Sequence, residues 1–385
     1  MNIIYFTTAQ NDSDYKHFQS LWSKDINPSN QTFHNKLIRC LAIKNHVEVI
    51  SVRPFSKQSC KSKGLPKKKK IDGNITWDYL SIPYLKEFKY PHCNIQVKAI
   101  LSKIKDALII TDTINPTVLT LATSYAKRSK KKIIGVCTDS PSNITGTTRR
   151  YTLYCLKHSK QLDGYITLTS ELNELYNEKK KNSLVIEGIV ENETPTSKAT
   201  SYGNYIFYAG TLLPKYGIYD LIKAYNLMPE CKHKLVIAGH SGNTQELFKE
   251  INGNTNIIFL GNIPNSEVLS LEASSWANIN PRPYTEDLDR YSIPSKVIEY
   301  LNSGAPVISV KNTKLQKLFY DSVIWSKSSS PVDLSNSIIL LDSLNDDDYK
   351  RLGKKAKEVA QQYYSLESLS DKLESFLYLF REKRN

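Results

Sequence analysis

No apolar run in the 385 residues reaches the roughly 18 that a helix needs to cross a bilayer, so no helical membrane span is expected. The apolar start, Met1 to Ala9, has no basic flank before it and no small-residue cleavage site after it. It reads as a first buried strand, not a secretory signal. Six cysteines (Cys40, Cys60, Cys93, Cys137, Cys155, Cys231) are scattered, with no CxxC pair and no histidine at metal-ligand spacing. That argues against a disulfide framework and a zinc site, and for free thiols in a reducing cytoplasm. Helix-turn-helix, RRM and KH patterns are lacking, and no base-stacking aromatics are interleaved with the lysines, so nucleic acid is not an expected partner. What remains is an ordinary globular composition, 40% hydrophobic, long enough for two domains.

The net charge of +14 is unevenly placed: residues 1–200 hold 31 Lys and Arg against 17 Asp and Glu, and residues 201–385 hold 21 against 21. Much of the excess lies between Lys57 and Lys70, which contains seven lysines and ends in Lys67-Lys68-Lys69-Lys70. A second cluster is Lys127-Arg128-Ser129-Lys130-Lys131-Lys132. Such runs are either solvated loops or surfaces attracted to anionic headgroups. The expectation here is a Lys57–Lys70 loop that docks on an anionic membrane, for a cytoplasmic protein peripheral to its inner face.

Strand and helix signals alternate along the chain. Strands are expected at Asn2–Thr8, Val47–Val52, Asp106–Ile110, Ile133–Cys137, Gly164–Thr167 and Ser183–Ile186, with helices between them such as Asn30–Ile43, whose Phe33, Leu37, Ile38 and Leu41 share a face. Residues 191–201 are polar, contain Pro195 and offer no periodic apolar face, which marks a linker. The alternation then restarts with strands at Tyr205–Ala209, Lys234–Ala238, Asn256–Leu260, Ala277–Asn280 and Pro306–Val310. Ser266 is placed to N-cap a helix at Glu267–Ala273, and Gly304 to end the helix Pro294–Leu301. At 366–385, Leu366, Leu369, Leu373, Phe376, Leu377 and Phe380 form one apolar stripe, expected to pack back on the body. The fold class is α/β: two tandem Rossmann-like, doubly wound domains, 1–190 and 202–365, with ligands in the interdomain cleft.

Candidate chemistry gathers in the second domain. Gly210 and Gly239 follow strands, where tight turns and helix N-termini present backbone N–H groups to an anion. From Pro294 the sequence Pro294-Ser295-Lys296-Val297-Ile298-Glu299 places a cation and an acceptor about one helical turn apart. Lys296 would neutralise a diphosphate and Glu299 would accept hydrogen bonds from ribose hydroxyls; the plainer reading of the two is a surface ion pair. In the first domain Asp112 and Asp139 follow buried strands and are candidate bases, or loop residues that cap the next helix.

The segments Tyr208-Ala209-Gly210-Thr211-Leu212, Leu235-Val236-Ile237-Ala238-Gly239, Ile279-Asn280-Pro281-Arg282 and Pro294-Ser295-Lys296-x-x-Glu299-Tyr300-Leu301-x-x-Gly304-x-Pro306-Val307 resemble, in order and spacing, the donor domain of GT-B glycosyltransferases. The likeness is to the large retaining family that includes many bacterial polysaccharide and lipopolysaccharide enzymes. It implies transfer of a sugar from a nucleotide diphosphate, UDP by default, to a glycan or lipid-linked acceptor, with the nucleotide-sugar as substrate and no cofactor or metal. By that resemblance Glu299 matches the second glutamate of a paired motif, the one that holds the ribose, and Tyr291 stands where the first would be. An arginine and a lysine that many members place on the diphosphate are Thr211 and Tyr216 here, with Lys215 displaced by one, so Arg282 and Lys296 are the candidates to replace them. The expected donor site is Gly210, Thr211, Lys215, Gly239, Arg282, Ser295, Lys296 and Glu299. Two other classes share the architecture: a UDP-sugar epimerase, and a non-catalytic partner subunit, which the altered phosphate loop keeps open.

Overall fold

Short runs of β-branched and aromatic residues form the strands, and the amphipathic stretches between them return as helices. The computed structural model describes residues 1–22, 29–56, 60–102, 104, 106–144, 146–191, 201–240 and 244–381. Contacts divide the chain into two units, Met1–Ile189 with Leu366–Asn385, and Val190–Ser365. Most of the expected linker, 192–200, lies outside the described residues, as do Lys57 and 241–243.

The first unit runs β1 (Asn2–Thr7), α1 (Asp12–Ser20), α2 (Ser29–Ala42), β2 (His46–Ser51), β3 (Lys68–Asp72), β4 (Ile75–Tyr79), α3 (Lys89–Leu101), β5 (Ala107–Asp112), α4 (Pro116–Ser129), β6 (Ile133–Cys137), α5 (Arg149–Ser159), β7 (Gly164–Thr167), α6 (Ser170–Tyr176) and β8 (Ser183–Val185). Its sheet has the order β3-β4-β2-β1-β5-β6-β7-β8, parallel except for β3, which pairs antiparallel with β4. Ile3, Ile4, Tyr5 and Phe6 are all fully buried, as a parallel strand covered on both faces requires.

The lysine run corrects an expectation. Lys68, Lys69 and Lys70 are not a loop but the start of edge strand β3. Lys68 pairs with Asp14, Lys69 lies 3.3 Å from Asp78 and 3.5 Å from Glu48, and Lys70 donates to Asn11 Oδ1 at 2.7 Å. Lysine on a sheet edge discourages pairing with another chain, and here its charge is also compensated within the fold. Lys67 precedes the strand and is exposed.

The second unit runs β9 (Tyr205–Ala209), α7 (Ile218–Asn226), β10 (Lys234–Ala238), α8 (Thr244–Ile251), β11 (Ile257–Phe259), α9 (Asn265–Ser274), β12 (Ala277–Asn280), α10 (Glu286–Asp289), α11 (Ser295–Ser303), β13 (Val307–Val310), α12 (Thr313–Phe319), β14 (Ile324–Ser326), α13 (Pro331–Asp342) and α14 (Asp346–Tyr364). Its parallel sheet has the order β11-β10-β9-β12-β13-β14. Strand order reverses between β9 and β12, and in such sheets the ligand crevice opens at the carboxyl ends of the two strands flanking that point. The loops there begin at Gly210 and Pro281. Ser266 caps nothing: α9 starts one residue earlier, behind Pro264, whose carbonyl accepts from Glu267 N and Val268 N at 2.9 and 3.1 Å.

The last helix, α15 (Leu366–Tyr378), belongs to the first unit. Leu366, Leu369, Leu373, Phe376 and Leu377 are buried in the same cluster as Leu37, Ile38 and Leu41 of α2. The apolar stripe therefore completes a core with the chain's own first residues.

Candidate active site

The carboxyl end of β9 is fixed by a tyrosine from α11. Tyr300 Oη donates to the Ala209 carbonyl at 3.2 Å and accepts from Ala209 N at 2.9 Å. The next residue, Gly210, donates its N–H to Ala238 O at 3.1 Å, and its own carbonyl oxygen lies where a side chain on Gly239 would begin. Gly239 has φ +146°, and a Cβ there would lie 1.8 Å from Gly210 O, so only glycine fits. Gly239 N in turn donates to Gly261 O at 2.8 Å. The ends of β9, β10 and β11 are thus tied together as one floor.

The loop after Gly210 folds against the end of β12. Thr211 is exposed, and its carbonyl accepts from Tyr208 Oη at 3.1 Å. Lys215 is exposed, with Nζ 5.2 Å from the centroid of Tyr216. Gly217 has φ +77°, and a Cβ on it would meet Pro281 O at 2.1 Å. Arg282 follows, its Cζ 5.9 Å from the Tyr216 ring. It donates to Asp289 Oδ1 at 2.9 Å and to Ser292 Oγ at 3.0 Å. Asp289 is buried, and its other oxygen accepts from Thr285 N at 2.8 Å, so Arg282 fastens the 283–292 loop.

At α11, Ser295 is exposed at the first position, behind Pro294, and no side chain caps the helix start. Lys296 Nζ lies 2.7 Å from Glu299 Oε2 and 3.3 Å from Glu272 Oε1. The expected i,i+3 pair is therefore present, but it is not simply a surface pair. Glu272, on α9, is 1% exposed, whereas the Glu299 and Lys296 side chains retain 17% and 31%. Burial alone would lower the Lys296 pKa; the charges of Glu272 and Glu299 outweigh it and hold the ammonium above its ordinary range. An ammonium has three donors, of which the two carboxylates engage two.

In the first unit the two aspartates differ. Asp112, the last residue of β5, is fully buried. Its oxygens accept from Ile114 N at 2.9 Å and Asn30 Nδ2 at 3.2 Å, and His34 Nε2 lies 3.7 Å away. His34 Nδ1 is 2.7 Å from Tyr5 Oη, and burial holds that imidazole below its ordinary pKa although Asp112 pulls the other way. Asp112 thus organises a buried network and caps no helix; α4 is capped by Asn115. That burial removes it from reach of a substrate. Asp139 follows β6, is half-buried, and accepts from Ser140 N at 2.8 Å.

Sequence reasoning missed Glu272, Asp289 and Tyr300. A signal for Glu272 was present: Val268, Leu271, Glu272 and Ser275 fall at helical spacing on one face, and a carboxylate on an apolar stripe asks for a buried cation.

Residues 190–359 match the family model for glycosyl transferases group 1. The O-antigen chain mannosyltransferase B of Escherichia coli is 25% identical over 159 residues, which span 40% of this chain and 40% of that protein. Among solved structures, sucrose-phosphate synthase from Thermosynechococcus elongatus has a TM-score of 0.71 at 14% identity, covering 98% of this chain and 99% of that one. HepE from Anabaena, solved in complex with UDP-glucose, has a TM-score of 0.66 at 12% identity, covering 98% and 100%. At these identities the structural likeness is one of fold. The second unit thus carries the glycosyl transferases group 1 match, and the two parallel-sheet units share the GT-B fold of the solved structures; the chain spans less than half the length of the curated relative it matches. Among the described residues no helix is long and apolar enough to cross a membrane.

Proposed function

We propose that the protein transfers a sugar, with retention of anomeric configuration, from a UDP-sugar to a glycan or lipid-linked acceptor in the synthesis of a cell-surface polysaccharide or glycoconjugate. The observation that carries the reading is the Tyr300–Ala209 pair of hydrogen bonds. Tyr300 directly follows Glu299, so this contact brings the ribose acceptor on α11 beside the glycine floor at the end of β9. Glu299 accepts the ribose hydroxyls. The N-terminus of α11 at Ser295, with Lys296 and Arg282, faces the diphosphate, and the turns at Gly210, Thr211, Lys215 and Gly239 bound the site.

In the transfer, the bond between the anomeric carbon and the diphosphate oxygen breaks, and the acceptor oxygen takes its place on the same face. Negative charge grows on the departing diphosphate, where cations held in place by Glu272 and Asp289 stabilise it without reorganising. Asp139 is the proposed base for the acceptor proton. No resident metal is invoked, so treatment with EDTA leaves the rate unchanged. HepE's complex with UDP-glucose supports the donor type, and the O-antigen mannosyltransferase supports the acceptor setting.

A thermal-shift screen of UDP-, GDP-, ADP- and dTDP-sugars tests the donor. A donor at about 100-fold its Kd adds roughly 2.7 kcal/mol of stability. A shift with UDP-sugars supports the reading; a shift only with another nucleotide reassigns the donor, and no shift with any removes the donor site.

A further inference from the structure

Beyond β4, five consecutive residues, Tyr84 to Phe88, are exposed, and they lead directly into α3. The inward face of α3 is Cys93, Val97 and Leu101. Its outward side carries apolar side chains as well: Phe88 and Ile95, seven residues and so two turns apart, are 59% and 68% exposed, with exposed Pro91, His92 and Ala99 on the same side. Large apolar side chains clustered and exposed on a helix whose other side is already packed mark an interaction surface. Tyr84 and Leu85 extend the patch at 45% and 44% exposure.

The patch has a cationic border. Lys86 and Lys98 are exposed on the same segment, against the single acid Glu87. Arg128 of α4 donates to Asn94 of α3 at 3.3 Å, which brings the exposed Lys127, Arg128 and Lys130 alongside. The lysines of β3, by contrast, are held by Asp14, Glu48, Asp78 and Asn11. Aromatic and aliphatic tips ringed by long basic side chains match a headgroup boundary, where the apolar tips enter the acyl region and the cations meet lipid phosphate.

We propose that the surface formed by Tyr84, Leu85, Phe88 and Ile95, bordered by Lys86, Lys98, Lys127 and Arg128, docks the first unit on an anionic lipid bilayer. It deepens the reading of a lipid-linked acceptor and rests on that reading for its purpose, but the docking itself is measured without donor or acceptor. Tyr84–Phe88 leave from the carboxyl side of the first sheet, the side on which Asp139 also stands.

The test is co-sedimentation of the full chain with vesicles of one part phosphatidylglycerol to two parts phosphatidylcholine, beside vesicles of phosphatidylcholine alone. The expected result is binding to the anionic vesicles that falls about tenfold or more on neutral ones and weakens in molar salt, where the Debye length shrinks to about 3 Å. Phe88→Ser with Ile95→Ser lowers binding by about tenfold or more while thermal stability and UDP-sugar binding hold. Wild-type protein that ignores the vesicles, or a double variant that binds as wild type, overturns the proposal. So does a wild-type dimer in sedimentation velocity that the double variant abolishes, since a second copy would then cover the patch. Lost docking with intact UDP-sugar binding removes this proposal and leaves the transferase; lost UDP-sugar binding in wild type does the reverse.

Discussion

The Lys296 ammonium stands 2.7 Å from the Glu299 carboxylate, one turn apart on α11, and the wholly buried Glu272 holds the same ammonium from α9. Removing the cation leaves a carboxylate buried without its charge partner. Lys296→Met is expected to cost about 3–5 kcal/mol in urea unfolding. Adding Glu272→Gln should restore most of that stability, because the stranded charge is gone, and should not restore UDP-sugar affinity. A single variant that loses less than about 1 kcal/mol would show that Glu272 needs no cation.

Gly239 faces a second constraint, because Gly210 O occupies the place of its Cβ. Gly239→Ala must move the turn after β9 or the one after β10. The expectation is a loss of at least about 1–3 kcal/mol from backbone strain, with donor affinity lost alongside stability. Equal thermal melts for wild type and variant would contradict it.

In the first unit, burial pushes the Glu48 carboxyl up to about 7, helped by its neighbour Asp78 and opposed by Lys69. Because the folded value lies above the unfolded one, Glu48 contributes most below about pH 4.5, and its contribution is lost as the pH rises towards 7. Its charged form is thus a burden at pH 8, of no more than about 3 kcal/mol. Glu48→Gln should raise the Tm at pH 8 and leave it nearly unchanged at pH 4. Asp78, Lys69 and His46, 3.8 Å away, all face this carboxylate, so the same comparison in Lys69→Met should show a larger penalty at pH 8.

The strands were legible because parallel strands covered on both faces are continuous apolar runs: Ile3 to Phe6, Tyr205 to Ala209 and Leu235 to Ala238 have no other reading. Gly304 was legible as a left-handed helix end, and its φ is +82°. Edge strand β3 was not legible, since four successive lysines have no strand pattern of their own. Its place is set by Asp14, Glu48 and Asp78, which other elements bring to it. The same holds for the site. Lys296 and Glu299 show in the local spacing, but Glu272 is 24 residues away on another helix, and Asp289 reaches Arg282 only because the intervening loop folds back. The elements between 311 and 365 were not assigned from sequence at all. There α14, with Ala356 and Ala360 on its buried face, shows its core side as small residues and not as a stripe of large ones.

The closing helix α15 buries five large apolar side chains in the first unit's core. At roughly 1.5–3 kcal/mol each, their loss approaches the whole stability of a typical domain, about 5–15 kcal/mol. A chain ended after Ser365 should therefore show the first unit unfolded by circular dichroism and proteolysis. A protease-resistant first unit in that truncated chain would contradict the packing described.

On the function proposed above, the second unit holds the nucleotide of the donor through Glu299. Isothermal titration of UDP-sugar into wild type and Glu299→Gln tests it most directly. A charge-assisted hydrogen bond of the proposed kind is worth about 1.5–3 kcal/mol, so the variant should bind roughly ten- to a hundredfold more weakly at unchanged thermal stability. Equal affinity in the two proteins would contradict the account.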